Sequence, residues 1–484
     1  MLHFLTATVL GLTLLSGITF ADEPLRVGLA EADITPPIGF PMAGYYHERL
    51  AEGVIDPLKA RAIVFRGSQT SAAWVVCDLI GISADLGRAI RSRASEKTGI
   101  PVSNIVVSAT HSHTAPDYTK ELVRYLDKTN RDPIRAGYIE KLIVATSDAI
   151  TRASESTEIA ILESGSALQQ TQVSFNRRFV MRDGSVRTWM NLKNPDVVRA
   201  AGPIDPEIGL LNIRRADGTP RGIISNFALH LDTVGGARWS ADYPYFIEQS
   251  LRKATGSEVI SLFGTGCCGD INHSDPSRTE RNKVDFIGNA IGEAIAKGIP
   301  TLKKLENPEV VVKSRIVPLR LQEVTREEVA KSIQIIETAR RKEKIDFLEH
   351  VTAYKKMMLD HWRNKESFAN TEEYITWGLS RSFAGIGETL PVEVTVMTLG
   401  HDVAIVYLPG EVFVELGLAI KQASPFRTTL VVELSNCVET IYIPNRAAYA
   451  GGSYEVTNSA TQPGSGEMLV EAAITLLREA ASGK

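Results

Sequence analysis

Two histidines separated by one residue, His111 and His113, follow the apolar run IVVSAT at residues 105–110. In extended backbone, side chains two apart point the same way. Two imidazoles so placed can address one ion, or one can bind it while the other moves a proton. Alone, such a pair is more often a matter of surface or core packing. His230 closes a second apolar run, IISNFALH, with Asp232 two residues on. A carboxylate at that spacing suits a ligand histidine that needs orienting. Glu411 follows YLPG and reads as the opening of a helix, where the macrodipole favours glutamate without any chemistry. Taken together, His111, His230 and Glu411 have the donor types of a catalytic zinc site, in which three protein ligands leave a position for water.

Other motifs are absent. There is no HExxH, GxSxG or P-loop segment, which excludes the helical metalloprotease arrangement, the serine nucleophile elbow and the Walker phosphate loop. GTGCCGDINHSDP at 264–276 offers Asp270 and His273 either as a ligand loop or as a glycine turn capped by Asp270. FNRRFVMRDG supplies Arg177, a permanently charged donor for a substrate oxygen or a surface arginine. IYIPNRAAYAGGSYEV at 441–456 carries Tyr442, Tyr449 and Tyr454, whose hydroxyls can stabilise a developing oxyanion or simply pack.

These residues need elements to position them. Strand-like and helix-like patterns alternate, which predicts an α/β protein of mixed β-sheets with flanking helices. Three stretches share one order of elements, strand, strand, helix, strand. They are RAIVF to NIVVSAT, GLLNIRR to EVISLFGTG, and VEVTVMTLG to TLVVEL. Repeated ββαβ units would set Asp78, His230 and Glu411 just after each second strand. His111 with His113, Asp270 with His273, and Tyr442 would lie just beyond each last strand. Function gathers at strand carboxyl ends in open α/β sheets, so these positions are expected to converge. Residues 324–376 differ, being charged and helical in period with Val329, Ile333 and Ile336 on one face. They predict an inserted helix pair with a solvated outer face.

Composition narrows the function classes. The chain has 484 residues, 44% hydrophobic and 23% charged, a globular profile. A net charge of −4 without a basic tract argues against nucleic acid as a partner. Cys77, Cys267, Cys268 and Cys437 are too few for a disulfide framework and read as buried small residues with room for one disulfide. Residues 1–21 are apolar and end in TFA, which predicts a cleaved signal peptide and a secreted or periplasmic protein. An uncleaved anchor is the alternative. Residues 22–484 are then one catalytic domain carrying the insertion.

The ordered set ATHSHTAP, FNRR, FALHLDT, LPGEVFVELG and YIPNRAAYAGGSYEV resembles the catalytic domain of the neutral/alkaline non-lysosomal ceramidases. The resemblance implies a single Zn2+ held by His111, His230, Glu411 and Tyr442. It implies His113 as general acid/base, with Arg177 and Tyr454 on the substrate carbonyl oxygen. The tyrosine ligand rests on the resemblance alone, since usual zinc ligands are Cys, His and carboxylates. The implied activity is hydrolysis of a linear amide in an N-acyl lipid such as ceramide, with peripheral membrane contact. The chain departs from the family where Thr-Ala-Pro-Asp follows His113 and Ile-Pro-Asn-Arg follows Tyr442, and it ends without the family's β-sandwich domain. Those loops shape the pocket mouth. A zinc hydrolase of the same fold acting on another N-acyl amide or an ester is therefore the second reading, and a non-catalytic binding protein the third.

Overall fold

Each of the three repeated stretches folds as a β-hairpin, a helix and a returning parallel strand in the computed structural model, which describes residues 24–306, 308–370 and 380–483. In the first unit Lys59–Arg66 pairs antiparallel with Ser71–Cys77, helix Ala84–Thr98 follows, and Ile105–Ala109 returns parallel to Ser71–Cys77. In the second, Glu207–Arg215 and Pro220–Phe227 form the hairpin, with helix Tyr243–Thr255 and parallel strand Ile260–Thr265. In the third, Thr389–Leu399 and Val403–Tyr407 precede helix Val414–Ala423 and strand Thr428–Val432. The helix ends follow local chemistry. Ser83 and Asp242 accept hydrogen bonds from the first turn of the first two helices, and Gly99 and Gly256 end them in the left-handed region. The predicted signal peptide and residues 371–376 of the predicted insertion lie outside the described residues.

Two sheets stack. The larger runs in the order Ile260–Thr265, Pro220–Phe227, Glu207–Arg215, Glu158–Leu168, Arg26–Asp33, Lys59–Arg66, Ser71–Cys77, Ile105–Ala109, with Lys303–Lys304 paired to Glu158–Leu168. The smaller runs Val310–Arg320, Thr389–Leu399, Val403–Tyr407, Thr428–Val432. Ile63, Phe65, Trp74, Leu211 and Leu262 of the large sheet pack with Met397, Ile405 and Leu430 of the small one, and the Trp74 and Tyr407 rings meet edge-on at 5.3 Å. Alternate residues of the same strands, such as Ala62, Val64 and Val75, face a helical layer that includes Ile90 and Ile139. The second unit and the small sheet are covered by helices on their outer faces in the same way. Strands buried on both faces explain the unbroken apolar runs in the sequence. Burying each large side chain contributes about 1.5–3 kcal/mol.

Three of the carboxyl ends meet. The large sheet curls until Ile260–Thr265 comes against the strands of the first unit. The Thr265 hydroxyl then donates to the Thr110 carbonyl at 2.8 Å, and the Glu433 amide donates to the Thr265 carbonyl at 3.0 Å. The last strands of all three units are therefore tied at one point.

The predicted insertion forms two helices, Arg326–Arg340 and Phe347–Arg363, the first opened by a Thr325/Glu328 capping box. Val329 and Ile336 are buried and Ile333 is half-buried against the outer core of the small sheet. All four cysteines are free and buried, so the structure leaves the expected room for a disulfide unused. Among the described residues no helix is long and apolar enough to cross a membrane.

Candidate metal centre and its cavity

His111 stands one residue past the Thr110 tie. Its backbone takes the left-handed conformation, φ 78, unusual for a side chain other than glycine, and its amide donates to the Leu79 carbonyl at 2.8 Å. That turn aims the ring inward, with Nδ1 on the Ile80 carbonyl at 2.7 Å. His230 follows the second unit's second strand, and its Nδ1 meets the Cys268 carbonyl at 2.9 Å. Glu411 does not open a helix, contrary to the sequence expectation. Glu411–Val412 is a short strand parallel to Tyr442–Ile443, and the helix starts at Val414. The macrodipole therefore has no part in placing this carboxylate. Gly410 permits the turn before it: its φ is +64, and a Cβ there would fall 2.6 Å from the Ile441 carbonyl oxygen.

A carbonyl oxygen can only accept, so both Nδ1 atoms carry a proton, and in the neutral rings, the form a metal requires, both Nε2 atoms are bare. The half-buried His113 places Nδ1 3.3 Å from the Gly44 carbonyl, which sets the same tautomer. One ring nitrogen from each of His111, His113 and His230 lies within 4.8 Å of the others, a group able to hold a metal ion. Glu411 Oε2 joins them. It lies 3.4 Å from His111 Nε2 and 3.2 Å from His230 Nε2, and those two nitrogens are 3.2 Å apart. Donors about 2.0–2.1 Å from a tetrahedral ion lie about 3.3 Å from each other, so this triangle has the size of one face of such a site. Glu411 Oε2 is buried and has no hydrogen-bond donor among the described residues. Lone pairs converging on a carboxylate oxygen repel unless a cation lies between them, and a zinc-sized ion fits this donor set.

The donors also act on one another through charge. Burial alone would raise the Glu411 carboxyl, yet His111 and His230 hold it well below the usual carboxylate range. Burial opposes the charge on His111, but Glu411 outweighs it and raises that imidazole. Burial and the Arg177 charge lower His230. Burial, then His111, push His113 down to about 3, leaving it a neutral base in this geometry.

The remaining predicted residues gather beside the donors. Tyr442 packs at the edge of the set, and its buried hydroxyl accepts from Arg177 Nη2 at 3.0 Å. Burial, with Glu411 nearby, raises that phenol well above its ordinary value. Arg177 is locked by two further bonds, Nε to Glu455 at 2.8 Å and Nη2 to the Gly269 carbonyl at 2.8 Å. Its guanidinium carbon lies 5.9 Å from the centre of the Tyr454 ring, which itself meets the Tyr442 ring at 5.6 Å. His113, Arg177, Tyr442 and Tyr454 all line one cavity of about 1090 Å³.

Other flagged residues have different places. Asp270 is no ligand: its carboxylate accepts from the Asn176 side chain at 2.8 Å and the Val414 amide at 2.9 Å, bracing the Arg177 and Glu411 segments. Asp78 lies off the site in a buried pair with Arg61 at 2.9 Å. The Tyr449 hydroxyl reaches the Thr461 carbonyl and packs. His273 contacts Asp232 at 2.9 Å, so the carboxylate after His230 is engaged with a histidine from the glycine-rich loop, and Asp232 faces the cavity. Sequence reasoning missed Glu455, and it treated the helical insertion as a solvated face. The insertion instead supplies Arg340, Lys342, Phe347, His350 and Tyr354 to the cavity wall. The exposed apolar Phe347 at a helix start was the available signal.

Residues 25–239 match the family model described as neutral/alkaline non-lysosomal ceramidase, N-terminal. A neutral ceramidase of Pseudomonas aeruginosa is 29% identical over 229 residues, which cover 45% of this chain and 31% of that relative. The crystal structure of neutral ceramidase from Pseudomonas aeruginosa superposes with a TM-score of 0.66 at 19% identity, over 95% of this chain and 75% of that one. A ceramidase structure complexed with C2 gives 0.67 at 18% identity, over 94% and 76%. At that identity the superpositions speak for the fold. The sequence matches carry the relationship: over residues 25–239 this chain is homologous to the N-terminal region of the neutral/alkaline ceramidases.

Proposed function

We propose that the protein is a zinc-dependent amidohydrolase acting on N-acyl compounds. The observation that carries this is the buried triangle of His111, His230 and Glu411 donors with bare nitrogens and an unpartnered carboxylate oxygen. These three hold the ion, with Tyr442 beside them as the fourth ligand implied by the resemblance. A zinc ion bound there supplies Lewis-acid polarisation and a water acidified toward neutral pH. His113 accepts a proton at Nε2, 3.3 Å from His111 Nε2, and delivers it to the departing amine, which leaves poorly as an anion. Arg177, locked by its bonds to Glu455, Gly269 and Tyr442, holds positive charge against the substrate carbonyl oxygen with the Tyr454 hydroxyl. Residues 1–21 extend the proposal to export across a membrane.

One observation favours a substrate other than ceramide. Among the described residues, the cavity wall has no Leu, Ile, Val or Met, and is built from aromatic and charged side chains. Aromatic rings can also receive an alkyl chain, so what weighs against a wholly apolar substrate is the presence of Glu48, Lys120, Arg281, Arg340 and Lys342 on the same wall. The test is amine release from a panel of N-acyl amides, ceramide included, by the zinc-loaded protein before and after a chelator. Chelator-sensitive release supports the proposal. Release that survives metal removal, or no release from any amide, overturns it.

A further inference from the structure

The cavity changes character along its length. Its inner end is buried and carries His113, Arg177, Tyr442 and Tyr454. Its outer end is exposed and basic. Arg281, Arg340 and Lys342 stand on that rim in exposed positions, and the half-buried Lys120 lies further in. They come from three separate parts of the chain: the helix after His113, the loop after His273, and the end of the inserted helix Arg326–Arg340. Arg340 pairs with Glu337 at 3.0 Å, while Arg281 and Lys342 make no ion pair among the described residues. Glu48 is the carboxylate on the same rim, and Asp232 lies inward against His273. Arg340 shares its charge with Glu337 and Lys120 lies against Asp117, so Arg281 and Lys342, set against Glu48, are what leave the mouth positive although the whole chain carries −4. A cleft lined by one sign of charge concentrates ligands of the other sign.

We infer that the substrate carries an anionic group, carboxylate or phosphate, which the rim of Lys120, Arg281, Arg340 and Lys342 receives while the amide reaches the buried end. This rests on the amidohydrolase reading and goes beyond it, because a ceramide headgroup is uncharged. The aromatic rings between the two ends, Tyr46, Trp189 and Phe347, give the connecting part of the substrate flat surfaces to lie against.

The experiment compares three amides of one acyl chain, those of ethanolamine, glycine and phosphoethanolamine, as substrates and as calorimetric ligands of the zinc-loaded protein. The anionic amides should show kcat/KM at least about tenfold above the ethanolamide, a preference that shrinks as salt rises. Replacing Arg281→Glu together with Lys342→Glu, both exposed, should reverse that ratio, with zinc content and thermal unfolding reporting that the fold is kept. Equal or better hydrolysis of the ethanolamide overturns the inference and leaves the amidase standing. If none of the three is cleaved, the amidase reading loses support and Kd decides the rim. Tighter anionic binding lost in the double variant supports the inference, and indifference to charge overturns it.

Discussion

At the residue scale the problem is to separate two jobs among three histidines with ring nitrogens within 4.8 Å of one another. His111 and His230 face Glu411 Oε2, whereas His113 meets the set only through His111 Nε2 at 3.3 Å and also opens on the cavity. On the proposed reading the first pair are ligands and the third moves the proton. His113→Ala should keep its zinc and lose turnover by about 100-fold or more, measured as metal content beside amide hydrolysis. Loss of zinc in that variant would make His113 a ligand. Individual residues were partly legible in the sequence. Histidines at strand ends and an arginine in FNRR advertise themselves by type. Glu411 was found for a mistaken setting, because LPGE before an apolar helical pattern reads as a first turn while the actual strand pairs with Tyr442–Ile443, about thirty residues away. Glu455 gave no sign, because its role comes from Arg177 Nε, far away in the chain.

At the scale of elements, the loop from His111 to the helix Thr119–Leu126 both presents the donors and feeds Lys120 to the rim. It contains Asp117, whose buried Oδ1 has no hydrogen-bond donor among the described residues. Burial raises this carboxyl from 3.8 to about 7, against the opposing pull of Lys120 and the Thr119 amide. The sign follows directly. The folded state binds this proton more tightly than the unfolded chain, so the group's contribution to stability falls as pH rises from near 4 through about 7 and levels off above. Asp117→Asn should therefore gain in Tm over the unmodified protein between those limits and hold the gain at higher pH. Thermal unfolding at about pH 4 and about pH 8 checks it, and a Tm difference that ignores pH contradicts it. The ββαβ units were readable because period-two and helical patterns are local. The inserted helices were readable as helices for the same reason. Their place on the cavity wall was not, since nothing local says which surface a solvated face overhangs.

At the scale of the whole molecule, three units of the same design bring their carboxyl ends to one point, and each provides part of the donor set. His111 comes from the first, His230 from the second, and Glu411 from the third. The tie from Thr265 to Thr110 and from Glu433 to Thr265 makes the site a property of the closed fold. No pattern in one segment shows that closure, which is why the sequence pointed to convergence without the geometry. A site so built binds metal only when every unit contributes, and metal binding should in turn stabilise the folded chain.

The most direct test of the account is the zinc content of the purified protein beside His230→Ala, measured on folded material after dialysis against zinc. The unmodified protein should hold about one zinc per chain and the variant a small fraction of that. A His230→Ala protein that keeps its full zinc, or an unmodified protein that takes up none, would contradict it.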